Sequence, residues 1–480
     1  MGLKNFTIPQ NILSTSKHCR LDPKYASFTH VNNWLVFDSK HPQIKLSDLI
    51  EELPIIKLKK GDLDEECLLV NISDQDQRSG DIEGVELVNN IGSDKTDLSQ
   101  SDIFVSKLGM PKGYIFLNSY KGQKLIGSTE FIPYRIKNID TKLIIKYFLL
   151  HEKTLNAYSN LESGKTPSHR RVNPYEFLKI KIPLIPKPAL KILAAEILPI
   201  EKNIQDLKKQ ILSPLVIINT IFAREFNYDK NSYNEFGKGM SATTQDSQSR
   251  SLKIFETNFS ELSKSGITRF STRFHNPPTK KLMLLLENID TLQVKDVLIE
   301  SIHRGTSPNY NPDGEIPVVK TGHLKNGYIE ISNEEFVDDN FYVSSTRSQI
   351  RKGDILIAST GKGSLGKIDL LDDEQNLVAD GHVSIIRLNG KKYNRLFFTY
   401  YFRSILGIFQ IERDFTGATN QIELYADEIA NFRIPDITLK EQQKIVDEIK
   451  TELDKQDLVR QSIRIERNKI DSVLNDAFCS

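Results

Sequence analysis

The sequence predicts an α+β chain built from two duplicated domains, each followed by a long helix, with the two helices pairing as an antiparallel coiled coil. Three observations carry that reading. Matching blocks recur in the same order about 250 residues apart, an apolar seam of helical spacing follows each half, and a polar, apolar-poor stretch lies between the halves.

The repeat comes first because it organises everything after it. Ser101-Asp102-Ile103-Phe104-Val105-Ser106 matches Gly353-Asp354-Ile355-Leu356-Ile357-Ala358, and Asp102 and Asp354 stand 252 residues apart. Leu178-Lys179-Ile180-Lys181-Ile182-Pro183 matches Ala430-Asn431-Phe432-Arg433-Ile434-Pro435 at the same offset of 252. Near the start of each half, Arg20 to Tyr25 faces Arg269 to Phe274, and Lys45 to Leu49 faces Gln293 to Val297, at offsets of 249 and 248. One such match is within the reach of chance. Four in order are a duplication.

Each half is strand-rich. Lys352–Ala358 and His382–Leu388 combine β-branched residues with Gly and Asp boundaries, the pattern of buried strands, while the aromatic stretch 397–411 reads as helix. After the first half, Leu190, Leu193, Ile197, Ile200, Ile204, Leu207 and Ile211 step by three and four, and the pattern persists to about Ile221. Pro199 falls inside it and is expected to kink or break its first turns. After the second half, Ile445, Ile449, Leu453, Val459, Ile463, Ile470 and Leu474 form a weaker seam interrupted by Gln456, Arg460 and Arg467. A seam that outruns its own domain needs a partner, and Leu193, Ile197, Ile204, Leu207, Ile211, Ile445, Ile449, Ile463 and Ile470 are the positions expected to supply it. The predicted organisation is a first domain over 1–182, a spacer helix over 183–226, a linker over 227–251, a second domain over 252–437 and a second spacer helix over 438–480.

Composition narrows the class. The chain has 480 residues with 39% hydrophobic and 9% aromatic content, enough to build more than one core. Its three cysteines, Cys19, Cys67 and Cys479, are scattered and odd in number, which suits a reducing compartment. No run has signal-peptide or membrane-spanning character, so a cytoplasmic protein is expected. The net charge is only +1, from 64 basic and 63 acidic residues. A chain that binds nucleic acid alone is usually basic, so near-neutrality fits a chain that binds none, one whose basic patches are offset by acidic surfaces, or one that shares such binding with partners, and composition does not choose among them.

Several chemical motifs fail on their own terms. Gly361-Lys362-Gly363-Ser364-Leu365-Gly366-Lys367 approaches a phosphate-binding loop, but Ile368 stands where a magnesium-holding Ser or Thr is required. A loop between strands that approaches nucleic-acid phosphates is the better use; a nuclease or nucleotide hydrolase exploiting Gly361–Lys367 is the alternative. Asn276-Pro277-Pro278-Thr279 lacks the aromatic fourth residue that would stack a flipped base, and reads as a turn. Glu448-Ile449-Lys450 has the letters of a nuclease site but sits in a predicted helix, and the nine histidines show no metal-ligand spacing. No catalytic residue, metal site or resident cofactor is expected.

The second half also resembles a known family. His303-Arg304-Gly305-Thr306-Ser307-Pro308 is similar to the glycine-threonine-proline turn of type I restriction-modification DNA-specificity domains. Gly353–Gly361 resembles their central strand and glycine loop, Thr416–Ile422 with Phe432–Pro435 their closing segment, and Glu441–Val446 the helix start that follows. The first half matches more loosely, with Leu53–Gly61 in place of the glycine-threonine-proline turn. The resemblance implies a non-catalytic specificity subunit with two target-recognition domains, each reading half of a gapped site in double-stranded DNA. It implies as partners two adenine methyltransferase subunits and a restriction translocase that can join them. S-adenosylmethionine, ATP and magnesium are then expected only in those subunits.

The DNA-contact residues expected on this reading lie in loops. In the second domain they are Arg304, Thr306, Ser307, Lys320, Thr321, His323, Lys325, Thr360, Lys362, Ser364, Lys367 and Asn420. In the first they are Lys107, Lys112, Lys165, Ser168, His169, Arg170 and Arg171. Lys and Arg reach phosphates, and Arg and Asn can also bond base edges. Arg170, Arg171 and Lys362 head the set.

Overall fold

The computed structural model describes residues 22–72, 74, 79–164, 170–229, 256–262, 271–331, 335–418 and 421–479. The chain divides into two compact units: the first runs to Gln210 and takes in the C-terminal stretch from Val459, and the second runs from Ile211 to Leu458.

Both units are closed by the same strand pair. Gln43, Ile44 and Lys45 oppose Pro183, Ile182 and Lys181; Thr291, Leu292 and Gln293 oppose Pro435, Ile434 and Arg433. Each first strand runs into a single helical turn, and a carboxylate at the third position fixes the entry. The Asp48 carboxylate accepts from the Lys45 N–H at 3.1 Å, and that of Asp296 from the Gln293 N–H at 2.9 Å.

The four-stranded sheet at the centre of each unit also repeats. In the first the order is Ile50–Glu52, Phe131–Ile136, Ile103–Ser106, Ile115–Leu117; in the second it is His303–Arg304, Val383–Ile386, Ile355–Ala358, Ile368–Leu370. Every neighbouring pair in both sheets is antiparallel. Ile103, Phe104 and Val105, and likewise Ile355, Leu356 and Ile357, are buried on both faces, because each sheet lies between two apolar clusters. Two consecutive helices follow in each copy, Lys142–Leu150 with Glu152–Tyr158 and Arg395–Arg403 with Ile405–Asp414. The aromatic stretch 397–411 is therefore helical as predicted, broken at Ser404.

A second sheet distinguishes the copies. It has five strands in the first unit, with Gly61–Val70 parallel to Leu125–Ser128, and four in the second, with Ile316–Val319 parallel to Leu377–Ala379. The duplication predicted from the blocks is thus a duplication of the main sheet, its closing pair and its helices.

The helical segments depart from the expectation in one respect. The predicted first helix is two: Lys187–Lys208, which runs through Pro199, and Pro214–Glu225. The break falls at 209–213, where the Ser213 hydroxyl caps Val216 N–H at 3.3 Å and Pro214 takes the first helical position, which needs no donor. The second helix, Leu439–Cys479, is continuous. In the first unit Leu193 and Ile197 share a core with Leu474 and Phe478. In the second, Ile217, Ile221 and Phe222 share one with Ile445 and Ile449. The Leu212 N–H donates to Gln456 Oε1 at 2.8 Å, and Arg224 pairs with Glu448 at 2.6 Å. Ile204 and Ile463 are also buried, whereas Leu207, Ile211 and Ile470 are half-buried. Asn276-Pro277-Pro278-Thr279, expected to be a turn, opens the helix Pro277–Glu287: Asn276 accepts from the Thr279 N–H at 2.9 Å. An Asn cap followed by proline at the first position is a helix start, and that signal outweighs the turn preference of Asn-Pro.

Candidate nucleic-acid interface

In the second domain the predicted contact residues run from Arg304 to Asn420 in sequence, yet those described fall on connected loops beside the four-stranded sheet. The Gly305 N–H donates to the Val383 carbonyl at 3.1 Å, and the Thr306 N–H to Ser348 Oγ at 2.9 Å. The Ser359 N–H donates to the His382 carbonyl at 2.9 Å, the Leu424 N–H to the Ser359 carbonyl at 2.9 Å and the Gly361 N–H to the Ile422 carbonyl at 3.2 Å. These bonds bring 304–307, 359–361, 380–384 and 422–425 together. Gly305 has to be glycine: a Cβ would stand 2.0 Å from the Ala379 carbonyl oxygen.

The 361–367 loop closes a hairpin between the antiparallel strands Ile355–Ala358 and Ile368–Leu370. Gly361 turns it with φ 87°, the left-handed region glycine enters without strain. A nucleotide-binding loop of this sequence type opens a helix whose N-terminal amides hold phosphate; this one opens a strand. On its far side the hairpin meets a second loop. Asn326 Oδ1 accepts from the Ile368 N–H at 2.9 Å, and the Asp369 carboxylate accepts from the N–H groups of Lys325, Asn326 and Gly327 at 2.7, 3.0 and 2.6 Å.

The charges on these loops are not equivalent. Arg304 donates to the Leu424 carbonyl at 3.1 Å and lies 3.6 Å from the Glu423 carboxylate, over the Tyr425 ring. Lys320 pairs with Glu335 at 2.6 Å above the Tyr310 ring, His323 approaches the same carboxylate at 3.8 Å, and Lys325 pairs with Glu330 at 2.8 Å. The Tyr425 hydroxyl and, beyond it, Arg304 hold the Glu423 carboxyl below its ordinary range. Thr306, Ser307 and Lys362 are exposed, and Thr321, Thr360, Ser364 and Lys367 are half-buried. Lys362 makes no ion pair among the described residues. Asn420 lies outside the described residues.

The first domain presents the corresponding hairpin at 107–114. The Lys107 N–H donates to the Glu130 carbonyl at 3.0 Å, and the Lys107 carbonyl accepts from the Val172 N–H at 3.0 Å. Arg171 grips Glu130 in a two-pronged bond, Nη2 at 2.8 Å and Nε at 3.0 Å, and Lys107 stands 3.9 Å away. That bond holds the Glu130 carboxyl below the usual glutamate range. Arg171 is thus largely committed to Glu130. Arg170 and Lys112 are exposed and both bias the field at Glu162. Lys165, Ser168 and His169 lie outside the described residues.

Sequence reasoning did not single out Glu130, Glu335, Glu423, Tyr310, Ser348 or Asp369, which orient or neutralise the predicted contacts. Among the described residues no group of three or more His, Cys, Asp or Glu is arranged to hold a metal ion, and no helix is long and apolar enough to cross a membrane.

Two copies of one strand-rich scaffold, each with polar and basic loops gathered beside its main sheet, define a duplicated loop-display protein. The class has a family. Residues 287–467 match the type I restriction modification DNA specificity domain. The resemblance read from the motifs of the second half is borne out by that match. No curated protein matches the chain. Among solved structures it is similar to a chain from a type I R-M system analysed for complex assembly and conformational transition, at 14% identity and TM-score 0.40, covering 92% of this chain and 99% of that one. It is also similar to the type I S subunit of M. genitalium, at 13% identity and TM-score 0.36, covering 92% and 97%. The HsdS subunit of Thermoanaerobacter tengcongensis gives 14% identity and TM-score 0.31, covering 91% and 96%.

Proposed function

We propose that the chain is the specificity subunit of a type I restriction-modification complex, and that each of its two domains reads one half of a gapped site in double-stranded DNA. The observation that carries the proposal is the repetition of one sheet, in one strand order and one closing register, in both halves, with the family match falling on the second. A duplicated reader suits a split target because half-sites on B-DNA repeat with the helical turn. The helical segments would set the gap, since a helix of about 35 residues spans roughly 50 Å.

Catalysis on this reading belongs to partners. Two adenine methyltransferase subunits would bind the helical segments, where Ile192, Leu198, Leu458 and Ile465 stay exposed. S-adenosylmethionine, and for a joined restriction subunit ATP and magnesium, would reside in those chains. Lys112, Arg170 and Lys362, exposed in hairpins and adjoining loops, are the first candidates for phosphate contact.

The test is N6-methyladenine mapping of DNA from cells that express this chain with its methyltransferase. A two-part motif with unspecified bases between the parts, absent when the chain is omitted, is the expected result. Methylation indifferent to the chain in an assembled complex would overturn the proposal.

A further inference from the structure

The carboxylate of Asp369 has a role that the reading loops depend on. Asp369 sits on the strand Ile368–Leu370 with 0% exposure. Its two oxygens take the backbone N–H groups of Lys325, Asn326 and Gly327, and the Arg403 Nη2 donates to Oδ1 at 2.7 Å. Arg403 is itself held, donating to the Ile368 carbonyl from Nε at 3.1 Å and from Nη2 at 3.0 Å. Asn326 completes the clasp: its side-chain oxygen accepts from the Ile368 N–H, and its backbone sits at φ 57°.

Three successive amides turned toward one point form the concavity that elsewhere binds an anion. Here the anion is part of the chain. A buried charge of this kind is expensive unless fully bonded, and this one is fully bonded. It ties the 321–328 loop to the base of the 361–367 hairpin, so that the loop carrying Thr321, His323 and Lys325 is bonded to the hairpin carrying Lys362 and Ser364.

We infer that Asp369 is a positioning residue for the second half-site: it fixes the 321–328 loop against the 361–367 hairpin and so sets which bases that domain accepts. The inference rests on the proposed function. In the first domain the position in the same register is Phe116, which opposes Phe104 as Asp369 opposes Leu356, so the device belongs to the second domain alone.

The test uses the full chain with its methyltransferase subunits and two variants, Asp369→Asn and Asn326→Gly. The first keeps the shape and removes the charge. The second keeps the left-handed turn and removes the clasp to Ile368, with no buried charge disturbed. Amide exchange without DNA is expected to quicken at least about tenfold at Lys325–Gly327 in Asp369→Asn, the loss of roughly one charge-assisted hydrogen bond. Methylation mapping is expected to show one or more positions of the second half-site relaxed in both variants, with the first half-site and the gap unchanged. Should Asp369→Asn fail to fold, Asn326→Gly alone decides. Quickened exchange with an unchanged second half-site would overturn the inference, as would relaxation of both half-sites together. The wild-type control separates the two claims, because a chain that directs no gapped methylation at all refutes the parent reading instead.

Discussion

The two domains are alike where they are buried and unlike where they face outward. Ile103 and Ile355, Val105 and Ile357, Ile182 and Ile434 occupy equivalent strand positions at an offset of 252 and are all buried. At the same offset, Arg171 in the first domain corresponds to Glu423 in the second, and Glu130 to His382. Both Arg171 and Glu423 form a bridge to the hairpin strand, to Leu108 and Thr360. The backbone position is kept and the charge reversed. Arg171 finds its counter-charge in Glu130 on the neighbouring strand turn, while Glu423 finds it in Arg304. Burial constrains a duplicated scaffold to one packing, whereas a loop is held only by its local ion pairs and can diverge. On the proposed function, that freedom lets the halves of the site differ.

The largest expected effect tests the shared part. Ile182→Ala and Ile434→Ala remove equivalent, fully buried side chains from the closing strand pairs. Each should destabilise its own domain by about 2–5 kcal/mol, read as hydrogen exchange confined to that domain. Similar costs support a common scaffold, and a large inequality would break the comparison.

The next test concerns the turn present in one copy only. Gly305→Ala forces a Cβ against the Ala379 carbonyl, and the second domain should lose about 1–3 kcal/mol or more by denaturant unfolding. The first domain carries Leu53–Gly61 there and dispenses with the close approach. A neutral Gly305→Ala would show that the turn's glycine is not sterically required.

How much of this was legible in sequence follows from what each feature depends on. The repeat was legible because buried strands constrain short, contiguous runs such as Ile103–Ser106 and Ile355–Ala358. The 361–367 hairpin was legible from glycines flanked by strand residues. The break at 209–213 was missed because Ile211, Leu215 and Ile218 keep steps of four and three across it; Ser213-Pro214 was the available signal. Arg171 headed the predicted contacts, but its partner Glu130 comes from another strand turn, and no local pattern encodes such a pairing. The Asp369 clasp escaped for the same reason, since its donors stand more than 40 residues upstream.

A smaller effect compares the exposed lysine with the paired ones. Lys362→Ala should weaken DNA binding by a few-fold across sequences and lower the salt slope by about one, as loss of a single phosphate contact does. Lys325→Ala should do less, because Glu330 already neutralises it. Equal effects in a filter-binding salt series would undo that distinction.

The smallest effect is electrostatic. Arg171 keeps Glu130 ionised below the usual glutamate range, so the pair adds stability above the free-glutamate pKa of about 4.3 and loses it as pH falls through the depressed folded value. With both groups partly exposed, solvent screening keeps the contribution small. Arg171→Ala should return the Glu130 titration, followed by carboxyl NMR, toward the ordinary range; an unmoved titration would discount the pair.

The central claim is that each domain reads its own half of the site. Its most direct test is methylation mapping of a chain in which residues 291–435 are replaced by a second copy of 43–183. The account expects a gapped motif that contains the first half-site twice and the second not at all. Retention of the second half-site in that chimera would contradict it.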